Sequence, residues 1–371
     1  MFKNKDIHAY EDARRLARRA LPWMVFDYID GAAGEGFGEE LNRQTLRALR
    51  LQPRILVNVT ERDTGSELFG RKTLAPFGVS PMGMCNLSGP GADLMLARMA
   101  ARHKVPVGVS TVASTSLETM IETADGNAWF QLYISGDGSS ATYLIDRAEK
   151  AGYETLVVTL DVPEVGRRPR ELRRGFKMPF KIGPRQFVDF ALHPKWSLSA
   201  LFKGKPDMAN FQEPGHSFDR TESRAAADWD KLSQLRERWK GKLVVKGVLS
   251  VKDALRLKEA GVDAIQVSSH GGRQLESAIE PIVALGKIRE GLGPDYPLFF
   301  DSGIRSGEDV VKAYAMGANF VFLGRPFLFS IAANGETGLT QFWDVLRDET
   351  SLTLAQIGKT NMTELGRDCF A

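Results

Sequence analysis

An imidazole and a guanidinium stand three residues apart in Ser268-Ser269-His270-Gly271-Gly272-Arg273-Gln274-Leu275. The segment closes the apolar run Ala264-Ile265-Gln266-Val267, which reads as a buried strand feeding a loop whose glycines let backbone approach a ligand. A base and an anion-binding fork on one rim are the minimum equipment for taking a proton or hydride from a carbon beside a carboxylate. A lone His at a strand end more often serves as a structural hydrogen bonder. The Gly-Gly-Arg that follows, and Asp161 at the end of another apolar run, favour chemistry here.

These side chains need a scaffold that gathers strand ends. Eight short apolar runs recur: Leu74 to Ser80, Val105 to Thr111, Ala128 to Ser135, Thr155 to Asp161, Leu243 to Val248, Ala264 to His270, Pro297 to Gly303 and Phe320 to Pro326. Helix-forming stretches with a glycine stop lie between them, such as Ala92 to His103 and Val251 to Gly261. Eight alternations predict an α/β fold, a closed (β/α)8 barrel of about 250 residues, over an open Rossmann-like sheet. No GxGxxG follows the first run, which weakens the open-sheet alternative. Barrels carry chemistry at strand C-termini, and Gln131, Tyr133, Thr159, Asp161, Lys246, Ser268, His270 and Asp301 collect there. Lys246 follows apolar residues inside a strand, where an unpaired ammonium is costly, so a functional role is favoured. Asp301-Ser302-Gly303-Ile304-Arg305 and Gly324-Arg325 suit the phosphate site that barrels build after strands seven and eight.

The 371 residues are read as one domain: a helical lead-in or lid over 1–60, a barrel over 61–340 and a C-terminal helical tail over 341–371. Cys85 and Cys369 form neither a disulfide framework nor a metal-ligand cluster, so no metal is expected and a reducing, cytoplasmic setting fits. No secretory signal and no run of about 18 apolar residues is present. The net charge of +3 is too small to imply nucleic-acid binding. Its distribution is uneven. The insertion 173–211 carries Arg173, Arg174, Lys177, Lys181, Arg185, Lys195, Lys203 and Lys205 against Asp189 and Asp207. Phe176, Phe180, Phe187, Phe190, Trp196 and Phe202 are interleaved with them. Such a mixture can seat a segment in the headgroup layer of an anionic membrane without crossing it. An active-site cover whose aromatics pack on the barrel is one alternative, and RNA binding by the same loop, with no recognisable nucleic-acid module beside it, is a third reading.

Seven ordered segments carry a resemblance over nearly the whole chain: Leu-Pro-Trp-Met-Val-Phe-Asp-Tyr at 21–28, Trp-Phe-Gln-Leu-Tyr at 129–133, Thr-Leu-Asp-Val-Pro at 159–163, Val-Lys-Gly-Val at 245–248, Ser-Ser-His-Gly-Gly-Arg-Gln at 268–274, Asp-Ser-Gly-Ile-Arg at 301–305 and Leu-Gly-Arg-Pro at 323–326. The chain resembles the FMN-dependent L-2-hydroxy-acid oxidases and dehydrogenases. With Leu192-His193-Pro194-Lys195-Trp196-Ser197-Leu198 in the insertion, it looks most like their membrane-associated mandelate and lactate branch. The resemblance implies oxidation of an L-2-hydroxy acid to the 2-oxo acid, FMN as cofactor and a membrane quinone as electron acceptor. It also implies a homotetramer placed peripherally on the inner face of the cell membrane.

By that resemblance His270 is the base and Asp161 its partner, Arg273 and Arg168 hold the substrate carboxylate, and Tyr28 and Tyr133 add hydrogen bonds to carboxylate and hydroxyl. Lys246 stands beside the flavin. The remaining FMN contacts fall to Pro81, Met82, Gly83, Ser110, Gln131, Thr159 and Ser268, with Asp301, Gly303, Arg305, Gly324 and Arg325 around ribityl and phosphate. On the residues alone, Tyr28 and Tyr133 also fit core aromatics, Asp161 a helix cap, and Arg168 a solvated charge beside Arg167. Three departures from the family pattern stand out. Ser269 replaces the usual Asn, which predicts a looser surrounding for His270; Ser302 replaces the commoner Gly; and Gly83 replaces Ala, leaving room for a bulkier acid. Competing readings are a soluble oxidase that forms hydrogen peroxide, an FMN-barrel isomerase acting on an isoprenoid diphosphate, and a non-catalytic flavin-binding or membrane-scaffold protein.

Overall fold

The computed structural model describes residues 6–136, 138–176, 182–202, 208–211 and 222–371. Eight parallel strands close into a barrel: β3 (Phe77–Met82), β4 (Val107–Ser110), β5 (Ala128–Leu132), β6 (Thr155–Thr159), β7 (Lys242–Val248), β8 (Ala264–Val267), β9 (Leu298–Phe300) and β10 (Phe320–Leu323). Closure comes from β10 pairing with β3 at Val321 and Phe77. The strands are short, rich in β-branched and aromatic residues and buried on both faces, as in Thr155-Leu156-Val157-Val158-Thr159. Each of the eight apolar runs overlaps one of them, β3 running on to Met82 and β7 starting one residue early at Lys242.

The barrel interior is packed with rings rather than open. Trp129 on β5 touches Phe299 on β9 and Phe322 on β10 at centroid separations of 5.4 Å, and rings from strands so far apart in barrel order meet only across the interior. A hairpin preceding the barrel, β1 (Ser66–Leu68) and β2 (Arg71–Thr73), carries Phe69 at its tip, 5.8 Å from Trp129 and 5.7 Å from Phe299. It plugs the end of the barrel opposite the strand C-termini. Three-residue strands show no readable alternation, so the sequence pattern does not announce this plug.

Outside the barrel, α4 (Ala92–His103), α5 (Leu117–Thr123), α6 (Ser139–Lys150), α11 (Val251–Glu259), α12 (Pro281–Leu292) and α13 (Gly307–Ala315) follow their strands. The last helix, α14 (Arg325–Gln356), runs through the expected division at residue 340; its break lies instead at Asn334 and Gly335, where Gly335 has φ +60°. The segment beyond it returns to the stretch that precedes the barrel, with Ala371 N–H donating to Arg50 O at 2.9 Å.

Among the described residues three helices precede the barrel: α1 (Tyr10–Ala20), α2 (Trp23–Asp30) and α3 (Phe37–Ala48). Helix α1 buries Tyr10, Ala13, Leu16 and Ala17 against α14. After β6 the chain leaves the barrel through α7 (Pro169–Arg174), α8 (Pro184–Leu192) and α9 (Pro194–Phe202), and re-enters through α10 (Trp229–Arg238). This excursion is bolted to α2. Arg170 bridges Asp27 and Asp30, Arg174 bonds Asp27 at 2.6 Å, and the buried Asp189 of α8 caps α2 by accepting from Trp23 N–H at 2.8 Å and Met24 N–H at 3.1 Å.

The apolar residues of the insertion divide into two sets. Phe176 stacks on Tyr28 at 4.3 Å, Phe190 and Trp196 stack on each other, and Trp196 Nε1 donates to Leu87 O at 2.8 Å, so these three rings face the protein. Ile182, Phe187, Val188, Leu192, Leu198, Leu201 and Phe202 face outward, 52–82% exposed. Lys177, Phe180, Lys181, Lys203, Lys205 and Asp207 lie outside the described residues. Among the described residues no helix is long and apolar enough to cross a membrane.

Candidate active site

The strand C-termini open into one cavity of about 1220 Å³, counted out into its mouth. Ser80, Pro81, Met82 and Gly83 line it from β3, Ser110 from β4, Lys246 from β7, His270 and Arg273 from the β8 loop, Asp301 and Ser302 from the β9 loop, and Gly324 and Arg325 from β10. Tyr28 and Ile29 of α2 close the top, and Tyr133 and Arg168 stand at the side.

His270 sits in a short turn with φ +56°, a left-handed backbone that few L-residues adopt. Its Nδ1 lies 3.0 Å from Asp161 Oδ1. An ionised carboxylate only accepts, so Nδ1 carries the proton and Nε2 keeps its lone pair as a base. Burial pulls the His270 pKa below its ordinary value; the Asp161 charge opposes this and Lys246 adds to it. For Asp161, burial acts to raise the carboxyl, but the His270 and Lys246 charges outweigh it and hold it low. The close approach needs a bulge between β7 and β8, where Gly247 has φ +100° and a Cβ would stand 2.5 Å from Asp161 Cβ.

Beneath them lies a buried polar network. Lys246 Nζ donates to Ser268 Oγ at 2.8 Å and stands 3.3 Å from Asp301 Oδ2, while Ser268 Oγ donates to Asp301 Oδ1 at 2.5 Å and Gln266 Nε2 to Asp301 Oδ2 at 2.6 Å. Burial disfavours the Lys246 ammonium, yet Asp301 and Asp161 overcome that and raise its pKa above the ordinary lysine value. A fixed positive charge on the cavity floor results. Ser268 and Asp301, expected to touch the cofactor, have their polar atoms engaged in holding this lysine.

The arginines are arranged less openly than their spacing predicts. Arg273 donates through Nη1 to Tyr28 O at 2.8 Å and Gly31 O at 2.7 Å, and through Nη2 to the buried Glu171 at 2.7 Å. Arg168 Nε donates to Arg273 O at 3.1 Å, and its guanidinium stands 3.5 Å from Glu171. Arg168 is thus a cavity residue, while Arg167 beside it is exposed. Arg325 donates to Ile29 O, Gly31 O and Gly271 O, and burial pulls its pKa down to about 10, still charged at neutral pH. Gly303 and Arg305 stand behind the cavity wall. Gly303 makes room for α3, where a Cβ would meet Leu46 Cδ1 at 2.8 Å, and Arg305 pairs with Glu39 at 2.8 Å under the Tyr10 ring.

Two of the departures noted in the sequence act differently from expectation. Ser269 does not loosen the turn: its Oγ accepts from Asn42 Nδ2 at 2.9 Å and Gly272 N–H at 3.3 Å. At Gly83 a Cβ would come within 2.5 Å of Val112 Cγ2, so Val112 takes up part of the space that the missing methyl leaves. Glu171, Arg224 and Met208 escaped the sequence reading. Arg224 lines the cavity with its guanidinium 5.0 Å from the Tyr133 ring, and nothing in its local Glu-Ser-Arg context signals this.

Residues 17–371 match the FMN-dependent dehydrogenase family. The chain belongs to this family. It is 37% identical to (S)-mandelate dehydrogenase of Pseudomonas putida over 98% of its own length and 94% of that protein. Against L-lactate dehydrogenase of Pectobacterium atrosepticum it is 34% identical over 98% of this chain and 96% of the relative. The crystal structure of the monotopic membrane protein (S)-mandelate dehydrogenase superposes with a TM-score of 0.94 at 38% identity, covering 98% of this chain and 99% of that one. A crystal structure of mandelate oxidase gives 0.85 at 33% identity, covering 98% of both chains. The protein is an FMN-dependent oxidoreductase of the 2-hydroxy-acid dehydrogenase type.

The donor set fits FMN. Gln131 Nε2 and Thr159 Oγ1 are buried at strand ends around the cavity without a hydrogen-bond partner among the described residues, as donors reserved for a polar ring are. Arg325, charged and bonded only to carbonyl oxygens among the described residues, suits a phosphate.

Proposed function

We propose that the protein oxidises an L-2-hydroxy acid of the mandelate or lactate type to its 2-oxo acid at a membrane surface and hands the electrons to a quinone. The observation that carries the reading is the 3.0 Å His270–Asp161 pair, set in a cavity that also holds Arg168, Arg273 and the charged Lys246. FMN held at this site would supply the acceptor for the two electrons and for one of the two hydrogens that leave the α-carbon and the hydroxyl of the substrate. His270 Nε2 takes the other hydrogen as a proton, and Asp161 stabilises the imidazolium so formed. Arg273 and Arg168 orient the substrate carboxylate with help from Tyr28, and Tyr133 faces the hydroxyl. Lys246 supplies positive charge where negative charge develops on reduction. Pro81, Met82, Gly83, Ser110, Gln131 and Thr159 form the cofactor's cradle, with Gly324 and Arg325 at its phosphate.

The anaerobic visible spectrum, recorded before and after adding (S)-mandelate or L-lactate, tests this. Bleaching of the oxidised flavin bands by either acid is expected; a flavin that no 2-hydroxy acid bleaches would sink the reading. Quinone reduction without peroxide separates a dehydrogenase from an oxidase.

The outward apolar face of α8 and α9, flanked by Arg173, Arg185 and Lys195, supports seating in an anionic headgroup layer. Replacing Phe187, Leu201 and Phe202 together by Ser is expected to release the protein from anionic vesicles with its flavin in place. Continued sedimentation with the vesicles would refute the anchoring. A homotetramer follows from the family resemblance and is tested by mass in solution.

A further inference from the structure

We propose that Ser302 is a positioning residue that clamps the His270 turn from the neighbouring strand end. This rests on the reading of His270 as the base. Ser302 lies in the loop after β9 with φ +81°, a conformation that glycine adopts freely and in which any side chain is strained. Its hydroxyl accounts for a side chain at such a position. Ser302 Oγ accepts from Ser269 N–H at 3.1 Å and Gly271 N–H at 3.0 Å, the amides on either side of His270, and donates to Asp301 Oδ1 at 2.7 Å.

The remaining amide of the turn is also held. His270 N–H donates to Ser268 Oγ at 3.0 Å, and that hydroxyl leans on the same Asp301 carboxylate. Three successive N–H groups are therefore tied to hydroxyls referred to one buried aspartate, and Asn42 of α3 secures Ser269 from the other side. The left-handed backbone of His270 is what this clamp holds. Asp161 fixes the ring, but a ring bond alone leaves the Cα free to relax toward ordinary φ. With Ser302 Oγ removed, Nε2 swings away from the substrate carbon while Asp161 keeps its hydrogen bond.

Ser302→Gly and Ser302→Ala separate the two properties of the position, because both delete the hydroxyl and only glycine relieves the strained φ. In the flavin-loaded protein without substrate, hydrogen exchange of peptides covering 268–275 is expected to speed up in both variants, with the other barrel strands unchanged. In turnover, kcat is expected to fall equally in both, roughly ten- to a hundred-fold. KM and FMN content should hold. A merely structural role would make activity follow thermal stability, leaving Gly well above Ala.

Unchanged exchange in the turn, exchange that rises evenly through the barrel, or wild-type kcat in Ser302→Gly would each overturn the clamp. So would loss of FMN in step with kcat. The exchange measurement needs no substrate. A wild-type flavin that no 2-hydroxy acid bleaches therefore removes the functional reading, while the fate of the clamp is decided separately.

Discussion

The barrel rim and the insertion after β6 use polar groups in opposite ways. At the rim, Lys246, Ser268, Asp301, Ser302 and the His270 turn bond one another inside the barrel wall, with Asp301 as the common acceptor. In the insertion, Asp189, Arg170, Arg174 and Trp196 reach outward from their own helices to α2 and to the loop after β3. One set fixes atoms for chemistry on strand ends that cannot move far. The other docks a cover, and its opposite face is left apolar and exposed. Rim substitutions should therefore change kcat with the lid intact, whereas insertion substitutions should change lid docking, substrate affinity or membrane attachment with the chemistry intact.

The largest expected effect is at the rim. Replacing His270 by Ala removes the base and is expected to lower kcat by about 10²- to 10⁴-fold, with FMN content and vesicle binding retained. Stopped-flow flavin reduction checks it. A loss of vesicle binding in the same variant would mean that the two regions are not separable.

Asp161→Asn sharpens the point through pH. Burial already lowers the His270 pKa from 6.5, so the acid limb of kcat/KM should fall below the ordinary histidine range. The Asp161 charge works against that burial; deleting it should move the limb to still lower pH and reduce kcat by more than about ten-fold. A limb that shifts upward would show that another group titrates.

Asp189→Ala addresses the insertion. The carboxylate caps two amides of α2 that lie 165 and 166 positions away in the chain. Its loss is expected to cost about 1 kcal/mol of stability and to raise KM a few-fold through a looser lid, while kcat stays near the wild-type value. Thermal unfolding and steady-state kinetics measure both. A kcat loss as large as that of Asp161→Asn would break the division between rim and cover.

The same contrast explains what was legible in the sequence. The barrel was, because each strand is a short apolar run and β6 or β8 needs no distant partner to be recognised. His270, Asp161 and Lys246 were legible because barrel strand ends converge by geometry, so position along a strand implies position in the site. Glu171, Asp189 and Arg224 were not. Each acquires its role from a partner far off in sequence, and Asp189 in particular read only as a rare acid in a basic stretch. The split of the aromatics into inward and outward sets was hidden for the same reason, since composition does not say which face of α8 or α9 meets the protein.

Trp196→Phe carries the smallest expected effect and tests that split most directly. The substitution keeps a ring against Phe190, 5.5 Å away, and deletes only the Nε1 donor to Leu87 O. Leu87 ends the short turn that follows Met84, and Met82, Gly83 and Met84 form one cavity wall, so the bond ties the cover to that wall. Losing it should cost on the order of 1 kcal/mol, with kcat almost unchanged. Vesicle binding should not change either, because Trp196 faces the protein while Phe187, Leu201 and Phe202 face away. A Trp196→Phe variant that melts as the wild type does but leaves the vesicles would place Trp196 in the headgroup layer and dissolve the two-faced insertion.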